Sequence, residues 1–351
     1  RLVVNNFSAT ATTSYKSLFE GCSSLVEIPL KDIPTYITDI SYMYKDCTNL
    51  QSANGMVFGE NLVSYEGIFE GCENLIQANN MVVKGNYYNT IFRNWKGVRY
   101  INNLLISFVG RSMNFSNMFE GCSDLMEFSF HNDSYVKEVI SMDYMFKGTN
   151  ISSIDITNVN LEKLISAKYL FTESNMTSIT FKLPTTISSI QGLLSNCPNL
   201  EEIHDVAFEK HLSNCTDWIT GSPIKVLRNC TVESDIIPFQ NITTLTTIDN
   251  MTWKYRNIGG KFYGCTGLET VTINITDQVT TAFIDGKGTF ENCTSLREID
   301  FTESDLSNLR QFDRMFYGDS SLTTIKNFKV TNPNATCGNE VLTECPINNT
   351  D

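Results

Sequence analysis

Residues Leu18-Phe19-Glu20-Gly21-Cys22-Ser23-Ser24-Leu25-Val26-Glu27-Ile28 decide the architecture, because the same phrase returns along the whole chain. It reappears as Met118-Phe119-Glu120-Gly121-Cys122 with Leu125 and Phe128, and again as Phe290-Glu291-Asn292-Cys293 with Leu296 and Ile299. Anchored on its Cys position, thirteen copies fall at Cys22, Cys47, Cys72, Trp95, Cys122, Thr149, Ser174, Cys197, Ser222, Ile242, Cys265, Cys293 and Asp319, spaced 20 to 28 residues apart. Three residues before this slot stands an aromatic side chain in eleven copies, among them Phe69, Phe119 and Phe316. Five or six residues after it comes an aliphatic or small residue in every copy except the one with Phe128. Self-similarity at a period of 20 to 50 residues is the signature of a solenoid.

Each copy reads as a short helical stretch, a tight turn and a strand. Tyr135, Val139, Met142 and Met145 recur at helical steps before Phe146. After the turn, Leu296 to Phe301 alternates in the period of a half-buried strand. A single unit cannot bury its apolar face, so neighbours must stack to complete the core. The expected fold is an α/β repeat solenoid of about thirteen helix-turn-strand units, occupying residues 1–328 and followed by a polar tail or cap at 329–351.

The phrase Met-Phe-x-Gly-Cys-x-x-Leu-x-x-Ile-Asp resembles the BspA-like leucine-rich repeats of bacterial surface proteins. Met145-Phe146-Lys147-Gly148 with Ile154-Asp155-Ile156 carries the resemblance, as does Met315-Phe316-Tyr317-Gly318 with Leu322. It implies a non-enzymatic recognition or adhesion scaffold at the cell surface or outside the cell, whose partner is a protein or glycan on another cell. Similar repeats also imply an alternative, a tail or head-fibre protein of a bacteriophage virion. The copies at 194–203, 218–227 and 239–248 depart from the family pattern.

Composition narrows the function classes. The formal net charge is −13 in 351 residues, which argues against nucleic acid because phosphate binding needs clustered Lys and Arg. No run of 18 apolar residues is present, so membrane insertion is not expected. The opening Arg1 reads as the start of a segment from a longer chain or larger assembly. No cofactor is expected. The three histidines, His131, His204 and His211, form no ligand cluster with Cys, and no catalytic motif surrounds them.

Eleven cysteines are present, and seven occupy the repeat slot, where the expectation is a reduced, buried, inert thiol. Cys337 and Cys345 lie outside the phrase and are the candidates for a disulfide. Thirteen Asn-x-Ser/Thr acceptors occur; they fit a glycosylated secreted protein, although an Asn- and Thr-rich chain generates about half that number by chance and chance is the favoured reading. The candidate binding surface is the outward face of the strand ladder, since residues flanking each buried Ile point away from the core. On it stand Tyr100, Glu127, Asp155, Glu202, Asp249, Glu298 and Asp300. Trp95, in the Cys slot, reads as core filler.

Overall fold

A computed structural model describes residues 12–85, 90–107, 113–132, 134, 138–154, 159–179, 183–208, 210–276, 283–338 and 340–347. The chain divides into two compact units, Arg1–Met176 with Gln191–Pro198, and Thr177–Ile190 with Asn199–Asp351. Every strand pairing in both is parallel. In the first, Val57–Phe58, Val82–Val83, Tyr100–Ile106 and Glu127–Phe130 lie side by side in chain order. In the second, the order Ser178–Ile179, Glu202–His204, Val226–Arg228, Thr247–Trp253, Thr270–Ile275, Glu298–Asp300 and Thr324–Lys326 is likewise sequential. The register sets Ile203, Leu227, Ile248, Val271, Ile299 and Ile325 in one column. This is a leucine-rich-repeat β-solenoid of about ten turns.

The expected helical stretches are absent: no α-helix occurs among the described residues, and thirteen helix-turn-strand units are not what the chain builds. The backbone says why. The residue five before the slot is left-handed in copy after copy: Ser17 (φ 57), Tyr42 (φ 57), Asn117 (φ 62), Tyr144 (φ 60) and Tyr169 (φ 53). The residue just before the slot is left-handed too, as at Gly21 (φ 71), Asp46 (φ 56), Gly121 (φ 73) and Asn292 (φ 63). Two such residues four apart cannot belong to a right-handed helix. They build overlapping turns instead. Leu18, Glu20 and Cys22 donate their amides back three residues, to Tyr15, Ser17 and Phe19. The alternate amides of Ser17, Phe19 and Gly21 donate to the carbonyls of Ser41, Met43 and Lys45 on the next turn. Every second amide thus closes its own turn, and the others tie successive turns together. The three-and-four spacing of apolar residues that suggests a helix is the inward face of this turn ribbon.

The long strands also bend at left-handed asparagines. Tyr100–Ile106 and Thr247–Trp253 share one alternation of buried and open residues, interrupted at Asn103 (φ 59) and Asn250 (φ 54). Asn103 Nδ2 donates to Asn80 Oδ1 at 3.1 Å, and Asn250 Nδ2 to Asn229 Oδ1 at 2.8 Å, so the corners are stitched by amide ladders.

Inside, the aromatic residue of the phrase forms stacked columns. Phe19, Tyr44 and Phe69 stack at 5.2 and 5.4 Å. Phe92, Phe119, Phe146 and Phe171 follow at 5.2, 5.4 and 5.8 Å. In the second unit Phe239, Phe262, Phe290 and Phe316 stack at 5.3, 5.4 and 6.0 Å. These rings are buried. Burial of such a side chain contributes about 1.5–3 kcal/mol, and an aromatic pair about 0.5–1.5 kcal/mol more.

The ribbon continues beyond residue 328. Gln311 bridges Thr336, and Phe316 and Gly318 donate to the carbonyls of Val341 and Thr343. Cys345 takes the slot of that turn and its thiol donates to Phe316 O at 2.8 Å. Cys337 and Cys345, the candidates for a disulfide, are both free thiols here. Cys337 is exposed, while Cys345 is held in the ladder.

Candidate functional site

The strand face is open on both sides of its buried column. Ile101, Ile203, Ile248 and Ile299 are buried, while their neighbours are half-buried or exposed. In the first unit Tyr100 lies in register between Gln77 and Glu127, and Glu127 Oε2 accepts from Asn102 Nδ2 at 3.3 Å. In the second, Glu202 and Glu298 share one row of the sheet with Val226, Thr247 and Thr270 between them. Asp249 follows His204 and Arg228 on the adjacent row, and Asp300 lies beside Thr272. Asp155 lies outside the described residues.

The bases on this face are already paired with its acids. Arg228 Nη1 meets Asp249 Oδ2 at 2.8 Å, and Lys326 bonds Glu298. Asn327 Nδ2 donates to Asp300 Oδ1 at 2.6 Å, and that hydrogen bond pulls the Asp300 carboxyl below its ordinary pKa. Exposed pairs of this kind contribute about 0–1 kcal/mol. Their effect is to fix side-chain positions and leave Glu127 and Glu202 as the more available acids. Among the described residues, no three His, Cys, Asp or Glu side chains gather as a metal site, and no helix is long and apolar enough to cross a membrane.

The turn ribbon carries a second pattern, of charge, outside the strand face. Two residues before the slot, the first unit runs Glu20, Lys45, Glu70, Arg93, Glu120 and Lys147, charges alternating turn by turn. Lys45 meets Glu70 at 2.9 Å and Arg93 meets Glu120 at 3.0 Å. The alternation was legible in the sequence once the slot was fixed.

The slot itself governs whether consecutive turns close. The thiols of Cys47, Cys72, Cys122, Cys197, Cys265 and Cys293 each donate to the carbonyl of the aromatic residue one turn earlier, at 2.9 to 3.2 Å. Burial pushes Cys47 and Cys265 up to about 11 and Cys72 and Cys122 up to about 12. They are protonated donors in a dry seam, as expected, whereas Cys22 is exposed. A slot residue therefore has to be small. Trp95 and Ile242 are not, and a cleft opens ahead of each. One, of ≈ 550 Å³, separates Asp217–Ser222 from Pro238–Thr244. There the carbonyls of Ile236 and Pro238 receive Cys215 Sγ at 2.8 Å and Trp218 Nε1 at 3.1 Å instead of main-chain amides. The other, of ≈ 1020 Å³, separates Glu66–Asn74 from Arg93–Arg99. Trp95, expected as core filler, is buried, yet its indole stands edge-on to Phe69 and Phe92 at 4.8 and 5.0 Å and separates their turns.

Comparison with known proteins bears on the repeat. A search of curated proteins found no match. Among solved structures, a leucine-rich repeat protein from Bacteroides ovatus is similar, at 16% identity, with 89% of this chain and 82% of that one covered and a TM-score of 0.32. One from Eubacterium ventriosum is similar at 11% identity, covering 93% and 84%, with a TM-score of 0.28. A leucine rich cell surface protein from Faecalibacterium prausnitzii is similar at 14% identity, covering 86% and 79%, with a TM-score of 0.25. The model of the BspA type leucine rich repeat region matches residues 2–99, 112–218 and 227–350 in six copies. With most of its length matched, this chain belongs to the BspA type leucine-rich-repeat family.

Proposed function

We propose that this chain is a non-enzymatic recognition scaffold, displayed at a cell surface or outside the cell, whose strand face docks on a protein or glycan of another cell. The observation that carries this reading is the unbroken register of the outward row. Glu202, Val226, Thr247, Thr270, Glu298 and Thr324 stand in consecutive parallel pairs, a row polar at every position but Val226 that repeats about every 4.8 Å on a preformed lattice. A partner meeting such a lattice loses little ordering entropy on the scaffold side. Family membership supports the same reading, since its repeats build surfaces and not reaction centres.

Binding to host-cell glycans and surface proteins, measured on arrays and on whole cells, tests it. Glu127→Lys and Glu202→Lys reverse the two acids least engaged by internal partners. The expected result is a loss of at least about tenfold in affinity, the equivalent of 1.4 kcal/mol, with unchanged circular dichroism. Binding that survives both reversals removes the strand face from consideration.

A further inference from the structure

We infer that the cleft ahead of Trp95 is a docking slot for an extended peptide segment of a partner protein, bound by main-chain pairing to the opened turn ladder. Where the slot residue of the following turn is small, the amides three and one before a slot generally donate across to that turn, as Tyr44 and Asp46 do to Ile68 and Glu70, and Phe119 and Gly121 do to Met145 and Lys147; Phe92, ahead of Cys122, is an exception. The equivalent amides ahead of Trp95 are those of Phe69 and Gly71. Their register partners are the carbonyls of Ile91 and Arg93, and among the described residues neither bond is made. The amides of Phe69 and Gly71 and the carbonyls of Ile91 and Arg93 thus lack their cross-turn bonds, and Phe69, Gly71 and Arg93 line the cleft. An extended chain presents carbonyls and amides at that same two-residue repeat, so it can accept from Phe69 and Gly71 and donate to Ile91 and Arg93, which is the physics of strand addition.

The walls favour peptide over other ligands. At ≈ 1020 Å³ the cleft lies at the upper limit of the ~300–1,000 Å³ typical of small-molecule pockets. One wall carries Glu66, Glu70 and Glu73, and the opposite wall carries Arg93, Lys96 and Arg99, with Asp124 also lining the cleft and accepting from the Gly97 amide at 2.9 Å. Glu70 and Arg93 are engaged by Lys45 and Glu120. Glu66 and Glu73 therefore face a basic side chain of the incoming segment, and Lys96 and Arg99 an acidic one. The floor is apolar, formed by Phe69 and Trp95. A peptide of mixed charge with an apolar residue between its charges meets all three requirements. This site is separate from the strand face and does not depend on it.

The experiment selects phage-displayed random dodecapeptides on the whole chain and synthesises the enriched peptide, both plain and N-methylated at alternate residues. Hydrogen exchange read on fragments covering 68–72 should run at least about tenfold faster in the free protein than on fragments covering 118–122, and the plain peptide should slow it. N-methylation and the slot-restoring Trp95→Cys should each weaken binding at least about tenfold. Lys96→Glu with Arg99→Glu, both on exposed side chains, should do the same should Trp95→Cys fail to fold. Peptide binding that ignores Glu127→Lys and Glu202→Lys separates this slot from the strand face. Failure of panning to enrich any sequence, indifference to N-methylation, or protection of 68–72 already in the free protein overturns the proposal.

Discussion

At the scale of single residues, the slot is a test of size and hydrogen-bonding capacity together. Cys fits because it is small, apolar and still able to donate to a carbonyl one turn earlier. The buried thiols should accordingly be inert. Under native alkylation followed by mass spectrometry, Cys22 and Cys337 should label first, and equal labelling of Cys47 or Cys122 would place those thiols in solvent. Asp319 is the exception among the small slot residues. It is fully buried, its Oδ1 accepts from the Cys293 amide at 2.8 Å, and its Oδ2 has no partner. Burial pushes its carboxyl up to about 8, so it stays protonated at neutral pH. A raised acid pKa means the folded state holds the proton more tightly than the unfolded state does. Stability is then complete below about pH 4 and falls as pH climbs towards 8. Asp319→Asn, which removes the charge and keeps the acceptor, should raise stability by about 2–4 kcal/mol at pH 8 and change it little at pH 4. Urea unfolding at the two pH values measures this; an equal effect at both would mean the carboxyl is not held neutral.

At the scale of the element, the turn ribbon and the aromatic column stabilise one another. Phe146 lies between Phe119 and Phe171 and is buried. Phe146→Ala should cost about 3–5 kcal/mol in urea unfolding, and a loss below about 1 kcal/mol would mean the column relaxes around the gap. The closing of the turns can be tested in reverse. Cys293→Trp should splay the preceding pair, in which Phe262 and Gly264 donate to Thr289 and Glu291. Its expected overpacking cost is about 1–3 kcal/mol, with faster amide exchange at Phe262 and Gly264. Retained protection there would show that slot size does not set the spacing. The ribbon was the part of the fold least legible in the sequence. Apolar residues at three- and four-residue steps are common to a helix face and to a chain of overlapping turns. Only the second tolerates left-handed residues four apart, and the non-glycine ones, such as Ser17, Tyr42 and Tyr144, carry no reliable signal. The strands were legible because Ile299 and its neighbours alternate in period two and the parallel register preserves that pattern.

For the whole molecule, the repeat and its stacking were readable because identical side chains occupy identical places turn after turn, as the Phe columns require. The tail was not, because the turn at Cys345 lacks the aromatic of the phrase three residues earlier, where Leu342 stands. Glu127, Glu202, Asp249, Glu298 and Asp300 lie on the sheet as their alternation dictates, but the pairing of Asp249, Glu298 and Asp300 with Arg228, Lys326 and Asn327 depends on cross-strand register, which a single sequence does not carry. The two clefts were present in the sequence as oversized slot residues, without a rule to interpret them. That rule has a consequence for cooperativity. A stack of turns behaves as a one-dimensional array whose stability sums over nearest-neighbour interfaces, so it divides first at its weakest joint. In the first unit the joint ahead of Trp95 lacks two main-chain bonds, each contributing about 0.5–1.5 kcal/mol, although the strand side stays closed through Val82 and Leu105. Rising urea should therefore release amide protection in the block from Tyr15 to Cys72 at a different concentration from the block between Met113 and Thr172, as read by hydrogen exchange on peptide fragments. Trp95→Cys, by restoring the thiol and both amide bonds, should bring the two midpoints together. A single shared midpoint in the unaltered chain would mean that aromatic packing of Trp95 against Phe69 and Phe92 fully offsets the missing bonds, and that an oversized slot residue opens the ladder without weakening the stack.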